Sequence, residues 1–408
     1  MSIDCFWALG AINYKNNKAT TCPRQWDPLV DLSDPLPSNI LNSSGFMAVR
    51  LLLSNGIWPK GCKTCEEFEK DKYYPYRLHH PLTDEMKNNY NLSTGEVDRS
   101  NLRHIEFRFS NACNFSCMHC SAAFSSGWAN MLKTYEVPQT AKDAELEQLI
   151  KDNQFNNYSL NEKTCNSIFK DLCENFPKLE MIDVAGGEPL YQKQVWNLFE
   201  KMKDHPNISN IAFNMTSNFN VDGCDYIKLS EKLKIFGKSK IRISVDGGSN
   251  IYSYFRSGEW DKLVNNINTF REHNNFTTIE ATCTTSVYQM LDIKNVIQDM
   301  ASLNVNKLHT SFVQFPKYLN PAIIKHKFKD KINQDLQELI DEFSYNENIS
   351  DICRKIYDYF NKKECIEKDY KRFILYVNEA DKLQHKSFNN YFKKFKIDFD
   401  SSEINYYE

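Results

Sequence analysis

The sequence predicts an α/β fold built on a parallel sheet. Six short segments rich in β-branched and apolar residues indicate strands, at residues 103–109, 179–184, 208–215, 240–245, 278–284 and 307–315. Between most of them, apolar residues recur with a helical period, over residues 161–176, 192–202, 226–236, 260–270 and 293–303. Strands and helices that alternate at this spacing form right-handed βαβ units, in a sheet that is either doubly wound or curved into a barrel. Both architectures carry their functional site at the C-terminal ends of the strands.

Three segments fall outside this alternation. The first hundred residues contain several prolines, many Asn and Ser residues and four cysteines, which predicts a separate small domain. Residues 132–158 are polar and too long for an ordinary βα loop, so they are interpreted as an insertion with a helical stretch near residues 141–150. After residue 320 the chain is charged and aromatic and predicts a helical extension. The predicted domains are residues 1–100, 101–320 and 321–408.

Composition places the chain among ordinary globular proteins. Of its 408 residues, 41% are hydrophobic, 25% charged and 13% aromatic, which excludes disordered and fibrous classes. The 50 Lys and Arg residues against 53 Asp and Glu residues give a formal charge of -3. No global basic field is therefore available to hold a polyanion by charge alone.

The sequence also bears on location. No apolar run approaches the roughly 20 residues of a membrane helix, and the best one, residues 46–53, is interrupted by Arg50. The first residues carry Asp4 and Cys5 where a signal peptide needs a positive charge and an apolar stretch. We therefore expect a cytoplasmic protein. Its 13 cysteines are then expected to be reduced, and some to bind metal rather than form disulfides.

The strongest signal is a group of three cysteines directly after the first predicted strand. Cys113, Cys117 and Cys120 lie within eight residues, and soft thiolate ligands select iron–sulfur clusters or zinc. Three cysteines on a four-iron cluster leave one iron open to a ligand that is not protein. Structural zinc needs a fourth ligand, and His119 is the local candidate. His119 adjoins Cys120, however, and neighbouring residues seldom bind the same tetrahedral ion.

The spacing C-x3-C-x2-C, with an aromatic-type residue before the last cysteine, resembles the signature of the radical S-adenosylmethionine (radical SAM) superfamily. At the end of the second predicted strand, Gly186-Gly187-Glu188-Pro189 resembles the GGEP motif of that family. Paired glycines allow a ligand to approach the main chain, and Glu188 can accept from an ammonium group. The resemblance implies a partial (β/α)6 barrel of the TIM type, a 4Fe-4S cluster on the three cysteines, and bound S-adenosylmethionine.

The same resemblance implies roles for residues at later strand ends. Candidate contacts to the ribose or the methionyl carboxylate are Ser217, Asn218, Ser244 and Asp246. Arg256 is a candidate carboxylate clamp, since a guanidinium binds carboxylates through two parallel hydrogen bonds, and His119 is placed beside the cofactor. Ordinary turn and cap chemistry explains each of these residues about equally well, so both interpretations stay open.

The implied activity is reductive cleavage of S-adenosylmethionine to a 5'-deoxyadenosyl radical, which abstracts hydrogen from a substrate. A reductant such as flavodoxin or ferredoxin is the implied electron donor. Relatives that carry a second, auxiliary iron–sulfur cluster in a domain of its own often modify peptides or oxidise sugar alcohols. A peptide or small-molecule substrate is therefore expected. No separate peptide-recognition domain is evident in the sequence, which weakens the case for a peptide substrate. Whether the reaction is an oxidation or a transfer stays open.

A second set of cysteines, Cys5, Cys22, Cys62 and Cys65, occupies the first hundred residues. Four thiols suffice for an auxiliary iron–sulfur cluster or for zinc. Residues 44–65 resemble the auxiliary-cluster domains called twitch or SPASM, and twitch, which holds one cluster, fits four cysteines. Such domains usually follow the barrel, whereas these cysteines precede it. We expect the four sulfurs to gather at one site, because a Pro-rich, polar segment has little apolar core of its own.

The remaining cysteines and histidines give weaker signals. Cys165, Cys173 and Cys283 lie on apolar helix or strand faces, where free cysteine behaves as a small hydrophobe, and no partner at ligand spacing accompanies Cys224, Cys353 or Cys365. Besides His119, His309 is the one histidine expected near the barrel mouth.

Two other functions stay open. One is a zinc-binding structural or interaction protein without turnover, and the other is a radical SAM modifier of nucleic acid, for which the charge of -3 gives no support.

Overall fold

The computed structural model describes residues 3–392, except residues 16, 26–29, 32, 71–74, 134–156, 315 and 365–366. The chain divides into two compact units. The first comprises Met1–Ala112, Tyr158–Thr216 and Lys228–Lys240, and the second comprises Cys113–Asn157, Ser217–Ile227 and Ile241–Glu408. The domain boundaries predicted at residues 100 and 320 do not coincide with the edges of these units.

The first unit is organised around a sheet with both polar and apolar faces. Its strands are β1 (Ala11–Lys15), β2 (Lys18–Thr20), β3 (Val30–Asp31), β4 (His104–Phe107), β5 (Met181–Val184) and β6 (Ala212–Ser217), in the order β3-β2-β1-β4-β5-β6. Strands β1, β4, β5 and β6 are parallel, and β2 runs antiparallel to its two neighbours. One row of paired residues is apolar and fully buried: Ile12, Ile105, Ile182 and Phe213. The next row points to the opposite face and is polar: Asn13, Glu106, Asp183 and Asn214.

The second unit contains the remaining strands. They are β7 (Lys238–Ser244, which begins in the first unit), β8 (Thr277–Thr285) and β9 (Lys307–Phe312). Strands β8 and β9 are parallel, with Glu280 opposite Lys307. The amide of Val245, directly after β7, donates to the Thr282 carbonyl of β8 at 2.9 Å.

The predicted fold class is confirmed. Strands β4 to β9 are the six strands expected from the sequence, and helices connect them as expected of a partial (β/α)6 barrel. The third strand begins later than predicted, because Ile208–Asn210 forms a 3-10 turn before it. The helices of this region are Ser126–Lys133, Glu162–Asn175, Lys193–Met202, Tyr226–Leu233, Tyr252–Arg256, Trp260–Glu272, Val287–Leu291 and Ile293–Ser302.

The helix Glu162–Asn175 shows why these segments fold as they do. The side chain of Asn161 accepts the amide of Thr164 at 2.8 Å and so caps the first turn. Ile168, Phe169 and Leu172, at helical spacing, are fully buried. The apolar stripe read from the sequence is therefore the face that packs in the core.

The helical extension after the barrel strands is also present. Its helices are Lys325–Glu342, Glu347–Lys362, Glu367–Gln384 and Phe388–Tyr391. Most of the predicted insertion, residues 134–156, lies outside the described residues, as does Cys365. None of the described helices combines the length and apolar composition needed to cross a membrane.

The N-terminal region differs from expectation in two ways. Strand β1 pairs in parallel with β4, so this region extends the sheet. Its five residues are all buried, and they were not predicted as a strand although Ile12 to Lys15 alternate in polarity. The helices of this region are Phe6–Gly10, Pro37–Ile40, Ser44–Ser54, Lys63–Lys70 and Asp84–Asn88. The expectation of little apolar core was wrong, since Trp7, Phe46 and Leu53 are among many buried apolar side chains here.

Candidate active site

The three-cysteine loop belongs to the second unit and forms a tight turn. The amide of Cys120 donates to the Cys117 carbonyl at 2.9 Å, and the amide of Phe115 donates to the Cys113 sulfur at 3.4 Å. Cys117 is buried, whereas Cys113 and Cys120 are half-buried. The loop therefore places three thiols on one short turn.

Side chains that follow the loop hold its main chain. The Trp128 indole donates to the Cys117 carbonyl and the Ser125 hydroxyl donates to the Phe115 carbonyl, both at 2.8 Å. The Ser126 hydroxyl accepts the Cys113 amide at 3.2 Å. These residues sit at the start of the helix Ser126–Lys133, so this helix orders the loop that precedes it.

Asn218, a predicted cofactor contact, is bound to the cysteine loop. Its side-chain amide donates to Asn114 Oδ1 at 2.8 Å, and the Asn114 amide donates to the Asn220 carbonyl at 2.9 Å. Asn114 lies between Cys113 and Cys117, so this network joins the loop to the segment after β6. Ser217 is buried and its hydroxyl accepts the Phe219 amide at 2.9 Å, which is a local turn contact.

Asp246 and Arg256, both predicted, form a buried ion pair in the same unit. The other carboxylate oxygen of Asp246 accepts the Thr284 amide at 2.5 Å, and Asp246 has a positive φ of 42°. Ser244, which ends β7, is half-buried. The ion pair offers a carboxylate and a guanidinium to a ligand that carries both charges.

His119 stacks on an aromatic ring beside the ion pair. Its ring lies on that of Phe255, with centroids 4.9 Å apart, and its Nε2 lies 3.8 Å from Asp246 Oδ2. Burial lowers the pKa of His119; the nearby Asp246 opposes this shift, and Arg256 adds to it. Among the described residues, His119 Nδ1 and Arg256 Nε are buried atoms without a hydrogen-bond partner. Such atoms suit a polar ligand beside the loop.

The thiols of Cys117 and Cys120 have raised pKa values. Burial raises the pKa of Cys120 to about 12, and the neighbouring Cys117 adds to this effect. Burial likewise raises the pKa of Cys117, while Arg256 opposes the rise. Because thiols bind metals as thiolates, cluster binding here has to release protons, and Arg256 lies where it favours the anionic form.

The motif Gly186-Gly187-Glu188 forms a turn in the first unit, after β5. Gly186 and Gly187 have positive φ values of 81° and 55°. A Cβ on Gly187 would lie 2.3 Å from the Ala112 carbonyl oxygen. Gly187 is thus required by the close approach of the main chain itself, a reason that differs from the expected approach of a ligand, whereas a Cβ on Gly186 would meet the Arg108 side chain.

Glu188 and Gln192 fix this turn. Glu188 is buried, and its carboxylate accepts the Leu190 amide at 3.0 Å. The Gln192 side-chain amide donates to the Gly186 carbonyl at 2.9 Å and to the Ala112 carbonyl at 3.2 Å. Sequence reasoning missed Gln192, because no motif marks it.

The four N-terminal cysteines line one cavity in the first unit. The cavity measures about 490 Å³, including its opening to solvent. Besides Cys5, Cys22, Cys62 and Cys65, two cations line it, Arg24 and Arg77. Burial raises the pKa of Cys5 to about 11 and that of Cys62 to about 12, with added repulsion from neighbouring thiols. Four soft donors with two balancing cations fit an iron–sulfur cluster or zinc.

Ligation would require movement of side chains. Among the residues that the structure describes, no group of three or more Cys, His, Asp or Glu side chains is already arranged to hold a metal ion. The thiols of either set would therefore have to turn toward one another on binding. Ligation by both cysteine sets stays a prediction.

Other candidates lie apart from these groups. Cys165, Cys283 and Cys353 are buried, in keeping with a packing role. His309 Nε2 on β9 lies 3.2 Å from Glu280 Oε2, and Arg242 Nη2 lies 3.1 Å from the same oxygen.

A family model for the radical SAM superfamily matches residues 107–290. The chain therefore carries a radical SAM domain over these residues. The match includes the three-cysteine loop, the turn at Gly186–Gly187 and the strand ends that carry Asn218 and Asp246. A radical SAM domain implies a 4Fe-4S cluster and S-adenosylmethionine. The predicted identity of the family is thereby confirmed.

Several solved structures are similar to this radical SAM protein. One is anSMEcpe with bound AdoMet, at 17% identity over 60% of this chain and 62% of that one, with a TM-score of 0.41. A second is Streptococcus suis SuiB bound to precursor peptide SuiA, at 12% identity over 72% and 62%, with a TM-score of 0.36. A third is TYW1 with a lysine-pyruvate adduct, at 13% identity over 71% and 90%, with a TM-score of 0.31.

These similarities are distant. The radical SAM chain spans about 62% of the length of the first of these structures. With TM-scores below 0.5, none of the ligands or substrates in their names is assigned to this chain. No curated protein matches the chain significantly.

Proposed function

We propose that the protein is a radical SAM enzyme that cleaves S-adenosylmethionine reductively and abstracts hydrogen from a peptide or small-molecule substrate. The observation that carries this proposal is the loop of Cys113, Cys117 and Cys120 inside the matched domain, ordered by hydrogen bonds to its main chain. A 4Fe-4S cluster on these cysteines would supply the electron for cleavage.

The residues around the loop supply binding and orientation. Arg256 and Asp246 carry opposite charges at a buried site, which suits a methionyl group with an ammonium and a carboxylate. His119 and Phe255 form a stacked, mostly uncharged wall next to the ion pair. Such a wall excludes water, which is what a reactive radical needs. Contacts of Ser217, Asn218 and Ser244 with the ribose or the methionyl carboxylate belong to the same proposal.

The turn at Gly186–Gly187 has a separate part in the proposal. Glu188 would accept from the methionyl ammonium, with its other oxygen bound to the Leu190 amide. Its burial supports a fixed orientation for the carboxylate.

We further propose that Cys5, Cys22, Cys62 and Cys65 hold an auxiliary iron–sulfur cluster of the twitch kind. The shared cavity and its two arginines support this assignment. Zinc at the same cysteines is the alternative. Metal and sulfide analysis of anaerobically purified protein separates the two, since zinc brings no acid-labile sulfide.

Partners and location follow from the proposed chemistry. A flavodoxin or ferredoxin would deliver the electron, and both proteins are typical of the cytoplasm. Nucleic acid is not proposed as substrate, because the formal charge is -3. The division into an auxiliary domain, a barrel and a helical extension is likewise proposed for residues 1–100, 101–320 and 321–408.

The decisive experiment replaces the three loop cysteines together by alanine. We expect the variant to form no 5'-deoxyadenosine when mixed with dithionite and S-adenosylmethionine, while the wild type does. Cys173→Ala is the matched control, because this half-buried thiol lies on the helix Glu162–Asn175 and belongs to neither cysteine set. Undiminished 5'-deoxyadenosine from the triple variant would refute the proposal.

A further inference from the structure

The C-terminal helices contact the three-cysteine loop directly. The side-chain amide of Gln384 donates to the Ser116 carbonyl at 2.9 Å, and the Tyr376 hydroxyl donates to the Met118 carbonyl. Both residues lie on the helix Glu367–Gln384, and loop and helix belong to the same unit. The loop is thus held from two sides, since Ser125 and Trp128 bind the carbonyls of Phe115 and Cys117.

The same segment binds the helix that carries Arg256. The Lys386 ammonium donates to the Tyr254 carbonyl at 2.6 Å and to the Ser257 hydroxyl at 2.8 Å. These groups lie at the C-terminal end of the helix Tyr252–Arg256, where a cation is favourable. The Tyr254 hydroxyl in turn donates to Asp381 at 2.8 Å. The C-terminal segment therefore positions two parts of the site.

Buried aromatic side chains anchor this segment. Phe373 and Phe388 are almost fully buried. Phe373 contacts the Tyr288 ring edge-on at 5.4 Å, and Phe388 stacks on Phe392 at 4.3 Å. Burial of each aromatic ring removes apolar surface from water and so stabilises this segment. This packing fixes Tyr376, Gln384 and Lys386 before any ligand binds.

We propose that Tyr376, Gln384 and Lys386 are positioning residues for the catalytic cluster, acting through the loop that carries Cys113, Cys117 and Cys120. This inference rests on the proposed function, because it assumes that the loop binds a cluster. Tyr376 and Gln384 bind the carbonyls on either side of Cys117, and Lys386 binds the turn around Arg256, whose carbonyl accepts the Cys117 thiol at 3.7 Å.

The charge on Lys386 gives a second, independent consequence. Its ammonium donates to the Tyr254 carbonyl and the Ser257 hydroxyl, on both sides of Arg256, and the Arg256 carbonyl accepts the Cys117 thiol at 3.7 Å. A nearby cation favours the more negative, reduced form of a cluster and raises its reduction potential. Removing the charge should shift the potential of the catalytic cluster to a more negative value.

Hydrogen–deuterium exchange of the full chain tests the positioning role without relying on activity. We expect Tyr376→Phe and Gln384→Leu to increase exchange at the amides of residues 113–120 about two- to tenfold, as loss of one hydrogen bond implies. Tyr318→Phe is the matched control, since Tyr318 is buried beside Tyr376 with ring centroids 5.0 Å apart. Unchanged exchange in both variants would overturn the positioning role.

Redox titration monitored by electron paramagnetic resonance tests whether the charge of Lys386 raises the reduction potential of the catalytic cluster. Lys386→Met should lower the reduction potential of the catalytic cluster, and Lys386→Arg should restore it. Iron content and thermal unfolding show whether the variants still fold and bind the cluster. If the Lys386→Met variant contains its full iron and has the wild-type reduction potential, the proposed effect of the Lys386 charge is overturned.

The outcomes distinguish failure of the positioning role from failure of the proposed function. If wild-type protein forms 5'-deoxyadenosine and the loop variants exchange like wild type, only the positioning inference fails. If the wild type forms none and binds no iron at the loop, the proposed function fails. Faster exchange in Tyr376→Phe and Gln384→Leu would then still show that the C-terminal helix orders the loop.

Discussion

Arg50 is a buried cation that joins three parts of the first unit. It is 1% exposed, and its guanidinium donates to the carbonyls of Ala8 at 2.8 Å, Leu41 at 2.6 Å and Gly95 at 3.1 Å. Burial lowers its pKa to about 10, so it remains charged at neutral pH. In the sequence Arg50 only interrupted an apolar run. In the structure it satisfies main-chain oxygens that would otherwise be buried without a donor.

Replacing Arg50 by methionine should therefore destabilise the protein. Loss of the donors leaves several buried carbonyls unsatisfied, at about 1–3 kcal/mol each, so we expect a loss of about 3 kcal/mol or more. Urea unfolding followed by circular dichroism measures this change. Arg354→Met, at an exposed site, is the control and should alter stability by less than about 0.5 kcal/mol. A similarly small loss in Arg50→Met would contradict the assigned role.

His205 should make stability depend on pH. Its Nδ1 accepts the Asn207 amide at 3.1 Å, and its Nε2 lies 3.2 Å from the Phe176 carbonyl oxygen. Burial lowers the pKa of His205 below its usual 6.5, so the folded state binds fewer protons than the unfolded state in acid. Its contribution is therefore complete above about pH 6.5 and is lost as the pH falls toward the folded pKa.

The measurement compares unfolding free energies at pH 7.5 and pH 5. The decrease should be smaller in His205→Gln than in the wild type, whereas His273→Gln, at an exposed histidine, should leave the wild-type decrease unchanged. An equal decrease in His205→Gln and the wild type would mean that His205 does not titrate in this way.

Individual site residues could be predicted from the sequence where their spacing along the chain was characteristic. Cys113, Cys117 and Cys120 are close in sequence, so their shared turn was predictable. Asp246 was found just after a strand and Arg256 in the segment that follows it, but their ion pair depends on how the helix Tyr252–Arg256 turns back. No local pattern could identify Tyr376 or Gln384, whose partners lie 258 and 268 residues earlier.

At the scale of elements, the turn after β5 shows a glycine fixed by main-chain contact. Gly187 has a left-handed φ of 55°, and a Cβ there would press on the Ala112 carbonyl. The sequence motif was interpreted as space for a ligand. The structure gives a local reason that applies even without one.

Gly187→Ala should for that reason destabilise the first unit. The left-handed conformation and the 2.3 Å approach to Ala112 together cost at least about 1–3 kcal/mol. Thermal unfolding checks this, with Gly223→Ala as control, since Gly223 also has a positive φ but nothing lies within 4 Å of its Cβ position. If the two variants lost equal stability, backbone conformation alone would explain the effect.

Elements were predictable when one face was buried. Strands β4 to β9 and the five predicted helices between them carried a clear period, and each was found within a few residues of its expected place. Strand β1 was missed because it is buried along its whole length and follows a helix of only five residues. Its pairing with β4, about ninety residues later, is a tertiary contact that no local pattern shows.

At the scale of the whole molecule, the two cysteine sets lie in different compact units. Cys5, Cys22, Cys62 and Cys65 belong to the first unit, and Cys113, Cys117 and Cys120 to the second. The two proposed centres share no ligand. Each should therefore bind its metal independently of the other.

Iron analysis of two variants tests this independence. After anaerobic reconstitution, the double variant Cys62→Ser and Cys65→Ser should lose about half of the iron and keep the cluster at the loop. The triple alanine variant of the loop should lose the other half. Loss of all iron in either variant would show that the centres depend on each other.

The contacts of Tyr376 and Gln384 have a consequence for the order of biosynthesis. The loop with Cys113 is synthesised well before the helix that supplies its last two hydrogen-bond donors, by 258 and 268 residues. At about 5–20 residues per second, this interval is on the order of 10–50 seconds. During that time the nascent loop carries its cysteines without these partners. Insertion of a cluster into a fully ordered loop is therefore an event that follows translation of residue 384.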